Sequence, residues 1–172
     1  MFIYASCDDA IRLKQLAEIS GRNPGDHKGW CLFGDFNDIL HKQEKIGGVE
    51  RSEASMRMFR GFVEEASLLD MGFMGQPFTW LNRRDREACV KMRLDRVLSN
   101  ANWCVIYPEA SCSHLSFIVA DHCPLLVDTK SQGERVKRRF IFDRRWINKE
   151  GCEEVMLDYY VILIIHNVPY NI

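Results

Sequence analysis

The sequence has no CxxC pair, no internal repeat and no low-complexity tract. Its seven cysteines, at positions 7, 31, 89, 104, 112, 123 and 152, are odd in number and irregularly spaced. A disulfide framework fits that pattern poorly, and so does a ribbon-type zinc site. Reduced, mostly buried thiols are the simpler reading. Long hydrophobic runs are lacking too: the longest aliphatic stretch, Val161–Ile165, is far short of the roughly 20 residues that cross a bilayer. The first residues carry neither a basic segment nor an apolar core of the secretory kind. No membrane partner is expected. An excess of charge of one sign is also missing. Lys plus Arg number 23 and Asp plus Glu 24, a formal charge of −1, which excludes a uniformly basic coat but leaves a local basic patch open.

What is present is the composition of an ordinary globular domain: 172 residues, 47% hydrophobic and 27% charged. Met1–Ala5 is apolar and β-prone. Ser6 and Asp9 stand at capping-box spacing, predicting a helix to about Ile19 with Leu13, Leu16 and Ala17 on one face. Residues 21–29 read as a loop. Trp30–Phe33 is a short apolar run that predicts a strand buried on both faces and ending at Gly34. Residues 38–51 read as a long loop, and Ser52 as the cap of a helix to about Leu69, with Met56, Phe59, Val63 and Ala66 at helical spacing. Further strands are expected at Phe78–Leu81, Lys91–Leu98, within Val105–Ser116 and at Leu125–Asp128, with one helical turn at Asn100–Trp103. The segment 131–145 is rich in arginine around Phe140 and Phe142 and reads as a solvated linker. Alternating strands and helices indicate an α/β or α+β domain, and periodicity does not choose between them.

Several polar residues stand where chemistry is possible. Asp35 and Asn37 follow a buried strand directly, where a scaffold holds acidic groups within reach of solvent. An Asx turn explains the same residues, and from spacing alone it is the simpler explanation. Asp121-His122 joins a hard oxygen donor suited to Mg²⁺ to an imidazole suited to proton transfer. A surface pair accounts equally for an isolated Asp-His dipeptide. Asp95, in a predicted strand, either orients His122 or pairs with Arg93 or Arg96. Tyr4 reads as a buried strand tyrosine. Cys112, His114, His122 and Cys123 are zinc-capable but irregularly placed.

In order, the segments Phe2-Ile3-Tyr4-Ala5-Ser6, Gly34-Asp35-Phe36-Asn37-Asp38, Phe78-Thr79-Trp80, Arg93-Leu94-Asp95-Arg96-Val97-Leu98 and Ala120-Asp121-His122-Cys123-Pro124-Leu125 resemble the endonuclease/exonuclease/phosphatase superfamily. Trp30–Asn37, Phe78–Asn82 and the Asp-His-x-Pro-Leu segment are especially similar to endonuclease domains of plant non-LTR (LINE-type) retrotransposons. The resemblance implies a DNase I-like two-sheet sandwich flanked by helices, α/β (α+β) in class and incomplete at its N-terminus. Residues 1–130 would be the C-terminal portion of that domain, and 131–172 a basic-aromatic connector and atypical tail. It implies Mg²⁺-dependent hydrolysis of a phosphodiester, with Mn²⁺ as a substitute, DNA as the substrate class and no small-molecule cofactor. By resemblance Tyr4 contacts the scissile phosphate, and Asp35 handles the attacking water or leaving group. Asn37 binds phosphate or metal, Asp95 partners the catalytic His122, and Asp121 is a metal ligand beside Asp35 and Asn37.

Two departures accompany the resemblance. The family's early asparagine and metal-binding glutamate are expected upstream of this chain's first residue, and Glu18, Glu44 and Glu50 stand in the wrong context to replace that glutamate. Ala120 stands where serine is common. A non-catalytic remnant is therefore an alternative expectation, as is a nucleic-acid-binding module built on Arg83–Arg96 and Arg135–Arg145.

Overall fold

The computed structural model describes residues 1–25, 27–85, 88–117 and 120–129, together with the strand Leu163–Ile165. The arginine-rich segment and most of the tail lie outside the described residues. The first sheet is built from β1 (Phe2–Tyr4), β2 (Cys31–Asp35), β8 (Asp95–Ser99) and β4 (Leu69–Asp70), in the order β1-β2-β8-β4. β1 runs parallel to β2, across α1 (Asp9–Ser20), and β8 runs antiparallel to both β2 and β4. A second sheet has the order β11-β10-β9-β5, from Leu163–Ile165, Leu125–Asp128, Ser111–His114 and Met74–Gly75. A third, small sheet is β3 (Lys45–Ile46), β7 (Lys91–Met92) and β6 (Trp80–Leu81), in that order.

Two apolar layers hold these elements together. On one face of the first sheet, Ile3, Leu32 and Leu98 pack with Leu16 of α1 and with Phe59 and Phe62 of α2 (Glu53–Glu65). On its other face Val97, with Cys31 and Phe33, meets Cys112, Leu125 and Val127 of the second sheet. The molecule is thus an α+β sandwich: two sheets face to face, with helices outside the first. β2 is covered on both sides, as its continuous apolar run predicts.

The element boundaries depart from the sequence reading in several places. Asp8, not Ser6, caps α1, because its carboxylate accepts the N–H groups of Ala10 and Ile11 at 2.9 and 3.0 Å. Ser6 lies one step further out, its hydroxyl accepting the Asp8 N–H. Leu13 is exposed and Arg12 is buried, so the inner face of α1 is partly polar. β2 runs through Gly34 to Asp35. Gly34 permits this because a Cβ there would lie 2.1 Å from the Ile3 carbonyl oxygen, at a φ of +133°. Residues 38–51 contain a 3₁₀ turn, Lys42–Glu44, and β3.

Ser52 does cap α2, but the helix stops at Glu65, and Ser67 in left-handed backbone (φ 53°) turns Leu69 into β4. Lys91–Leu98 is not one strand. It breaks at Arg93-Leu94 between β7 and β8, where the Arg93 N–H turns to the Glu44 carbonyl and the Leu94 and Asp95 N–H groups turn to the Thr79 hydroxyl. Asn100 caps α3 (Ala101–Ile106) and also receives the Trp30 N–H, joining that helix to the start of β2.

Candidate active site

The strand register builds the site. Tyr4 pairs with Asp35 across β1 and β2, and Asp35 pairs with Asp95 across β2 and β8. Register partners share a face, so one row crosses three strands at the end of the sheet. The Phe36 N–H bonds the Leu94 carbonyl at 3.0 Å. That bond marks Asp35 and Asp95 as a close, non-hydrogen-bonded pair of the kind with Cα atoms about 4.5 Å apart. His122 reaches the row from the segment leading into β10. That segment is held by β6: the Leu81 N–H bonds the Asp121 carbonyl and the Cys123 N–H bonds the Thr79 carbonyl, both at 2.8 Å. The imidazole Nδ1 lies 2.8 Å from Asp95 Oδ2. Asp95 therefore pairs with the histidine, while Arg93 and Arg96 bond Glu44 and Asp70 instead. Glu44 is held in that buried ionic cluster, away from the row.

Asn37 sits at the tip of the turn after β2 in left-handed backbone (φ 50°), a conformation asparagine tolerates. Its N–H and side-chain amide donate to the two Asp35 carboxylate oxygens, each at 2.8 Å, and the amide also reaches the Ala5 carbonyl. The Asx turn read from the sequence is real, and it stands inside the site. Asp121 accepts the Trp80 indole N–H at 3.0 Å, and Trp80 meets the His122 ring edge-on.

A cleft of about 350 Å³ is lined by Tyr4, Asp35, Asn37, Asp121 and His122, with Arg51 and Trp80 among its other walls. Every site residue predicted from the sequence is brought to this cleft, or, in the case of Asp95, bonded directly behind it. Tyr4 differs from expectation in being half exposed, because β1 is an edge strand among the described residues. Arg51 was missed. Its guanidinium bonds the Asn37 carbonyl at 2.7 Å and Asp38 at 3.0 Å, and nothing in the polar run before Ser52 distinguishes it by letter.

The electrostatics follow from burial and crowding. Desolvation, then the Asp95 charge across the strand pair, pushes the Asp35 carboxyl up to about 7, with Asp121 adding to the rise and His122 opposing it. Burial alone would lower the His122 imidazole. The hydrogen bond donated to Asp95 and the charges of Asp95, Asp35 and Asp121 outweigh burial and hold it above its ordinary value. By contrast Cys112 and Cys123 are buried thiols, each pushed up to about 12 by desolvation, and His114 bonds the Gln76 carbonyl.

The donor set for Mg²⁺ is one of hard oxygens: the carboxylates of Asp35 and Asp121 and the amide oxygen of Asn37. Among the described residues no three acidic, imidazole or thiol groups form a dedicated metal cage. Magnesium does not demand one, since it keeps several waters and takes one or two carboxylates plus substrate phosphate. The chemistry of this donor set, two carboxylates and an amide oxygen lining one cleft, fits such an ion.

No family model matches the chain, and no curated protein matches it. Among solved structures, a beta toxin 275-280 from Staphylococcus aureus is similar over 72% of this chain and 43% of that chain, at 15% identity and a TM-score of 0.41. Fold and cleft together define an α+β sandwich carrying an acid–imidazole cluster at one end of its first sheet.

Proposed function

We propose that this chain is a Mg²⁺-dependent phosphodiesterase of the endonuclease type, with DNA as its substrate class. The observation that supports this most is the His122–Asp95 hydrogen bond of 2.8 Å, set in the same cleft as the Asp35–Asn37 pair. A dyad of this kind fixes the imidazole tautomer: Asp95 accepts the Nδ1 proton, and Nε2 becomes the ring atom through which a proton passes at the cleft. Asp35 lines the same cleft, where a carboxylate is suited to accept a proton from water or return one to a leaving oxygen. Tyr4 and Arg51 line the same cleft and are of the donor type that stabilises the dianionic state of phosphoryl transfer. Asp35, Asn37 and Asp121 would hold the magnesium ion, which neutralises phosphate charge when bound.

Plasmid nicking in Mg²⁺, set against the same reaction in EDTA, tests the proposal. Mg²⁺-dependent nicking supports it, and nicking that persists in EDTA overturns its metal dependence. A second reading, a non-catalytic remnant, draws on the same ligand set. It starts from the charge count of the cleft, where Asp35 and Asp121 are carboxylates and Asn37 a neutral amide, since fewer charged ligands hold a divalent ion less tightly. Stoichiometric Mg²⁺ binding that depends on Asp121 would remove this reading.

A further inference from the structure

Thr79 is fully buried and makes four hydrogen bonds, which reach Asp95 of the dyad and the residue that follows His122. Its hydroxyl oxygen accepts the N–H groups of Leu94 and of Asp95, both at 2.9 Å. Its own N–H donates to the Met92 carbonyl at 2.9 Å, and its carbonyl accepts the N–H of Cys123 at 2.8 Å. Asp95 is the first residue of β8, and Cys123 follows His122 directly. One side chain therefore fixes the backbone under the carboxylate, while the same residue's main chain fixes the backbone next to the imidazole.

The double acceptance has a local cause. Between β7 and β8 the chain changes sheets, and the N–H groups of Leu94 and Asp95 have no strand partner at that break. Buried N–H groups need an acceptor. A hydroxyl oxygen with two lone pairs serves both, which neither an aliphatic side chain nor a backbone carbonyl fixed in a ladder does there. We propose that Thr79 is a positioning residue for the Asp95–His122 dyad, setting the separation of carboxylate and imidazole through their main chains without itself touching substrate. The inference rests on the reading of His122 as the proton-transfer group, yet its structural content is independent of turnover.

The test uses the full chain with Thr79→Val and Thr79→Ser. Valine keeps the shape and removes the acceptor, whereas serine keeps the oxygen and removes only a methyl. Proton NMR reads the His122 Nδ1 proton, which a bond to a buried carboxylate shifts far downfield. We expect that resonance in the unaltered protein and in Thr79→Ser, and its loss or broadening in Thr79→Val while methyl dispersion is retained. In nicking assays kcat falls by about 10²-fold in Thr79→Val, with KM little changed, as expected of a misplaced group, and Thr79→Ser recovers it. An unchanged resonance and unchanged kcat in folded Thr79→Val overturn the inference. If Thr79→Val does not fold, Thr79→Ser decides: a retained resonance supports it, and a lost one in a folded protein overturns it. If the unaltered protein shows no nicking, the NMR arm still decides the role of Thr79, and only the functional reading fails.

Discussion

Asp35 and Asp95 stand directly opposite one another in neighbouring antiparallel strands, both almost completely removed from solvent. Like charges so placed repel, and the His122 imidazole bonded to Asp95 offsets part of that repulsion. A stability profile follows from this pair. Asp35 titrates near 4 in an unfolded chain and is pushed up to about 7 in the fold. Between those values the native state holds the extra proton, so stability falls as pH rises through the window. His122, held above its ordinary value, acts with the same sign: its contribution is complete below about 6.5 and disappears as pH rises through its folded value. Urea midpoints in buffer free of divalent cations should decline from pH 4.5 to 8, and Asp35→Asn should flatten most of that slope. A profile that rises across the same range would contradict the assignment.

Arg12 and Asp38 should carry a large share of the stability around the site. Asp38 accepts from Arg12 at 3.0 Å, Ser55 at 2.6 Å and Arg51 at 3.0 Å, and Arg12 also bonds the Ser6 and Cys7 carbonyls. Both members of the Arg12–Asp38 pair are buried. Removing the guanidinium in Arg12→Met should cost about 3–5 kcal/mol, because the carboxylate stays buried with fewer partners. Chemical denaturation measures this, and a cost below about 1 kcal/mol would show that the network relaxes around the loss.

Gly34→Ala should be among the most damaging single-methyl changes in the molecule. The added Cβ meets the Ile3 carbonyl oxygen at 2.1 Å and the backbone is in a region closed to alanine, so β1 must leave β2. The loss should be about 3 kcal/mol or more, read as a fall in thermal midpoint. Because β1 carries Tyr4, nicking should fall with it.

Much of this architecture was legible in the letters. The apolar run around Leu32, the Ser52 cap and the spacing of Met56 and Phe59 are patterns complete within a few positions of the chain, and they mark which faces are buried although the partners lie far away in sequence. What the letters hid depends on distant partners. The break at Arg93-Leu94 exists because Glu44 and Thr79 take the freed N–H groups, and no local pattern announces either. Arg12 is buried because Asp38, 26 positions later, lies beneath it, a partner that no pattern within the helix announces. In the site, Asp35, Asn37, Asp95, Asp121 and His122 were named from ordered motifs. The register that sets Asp35 against Asp95, and the entry of Arg51 into the cleft, appear only once strands pair.

Asp95→Asn should leave the fold intact and lower nicking by about 10²- to 10⁴-fold, because an amide in place of the carboxylate no longer enforces the tautomer with its proton on Nδ1. Rates measured alongside thermal midpoints separate this from unfolding. A rate within threefold of the unaltered protein would place the imidazole outside the chemistry.

The most direct measurement is the Mg²⁺-dependent nicking rate of His122→Ala beside the unaltered protein, each verified as folded. The expected result is a fall of at least about 100-fold in His122→Ala, the usual contribution of a positioned acid or base. Equal rates in the two proteins would contradict it.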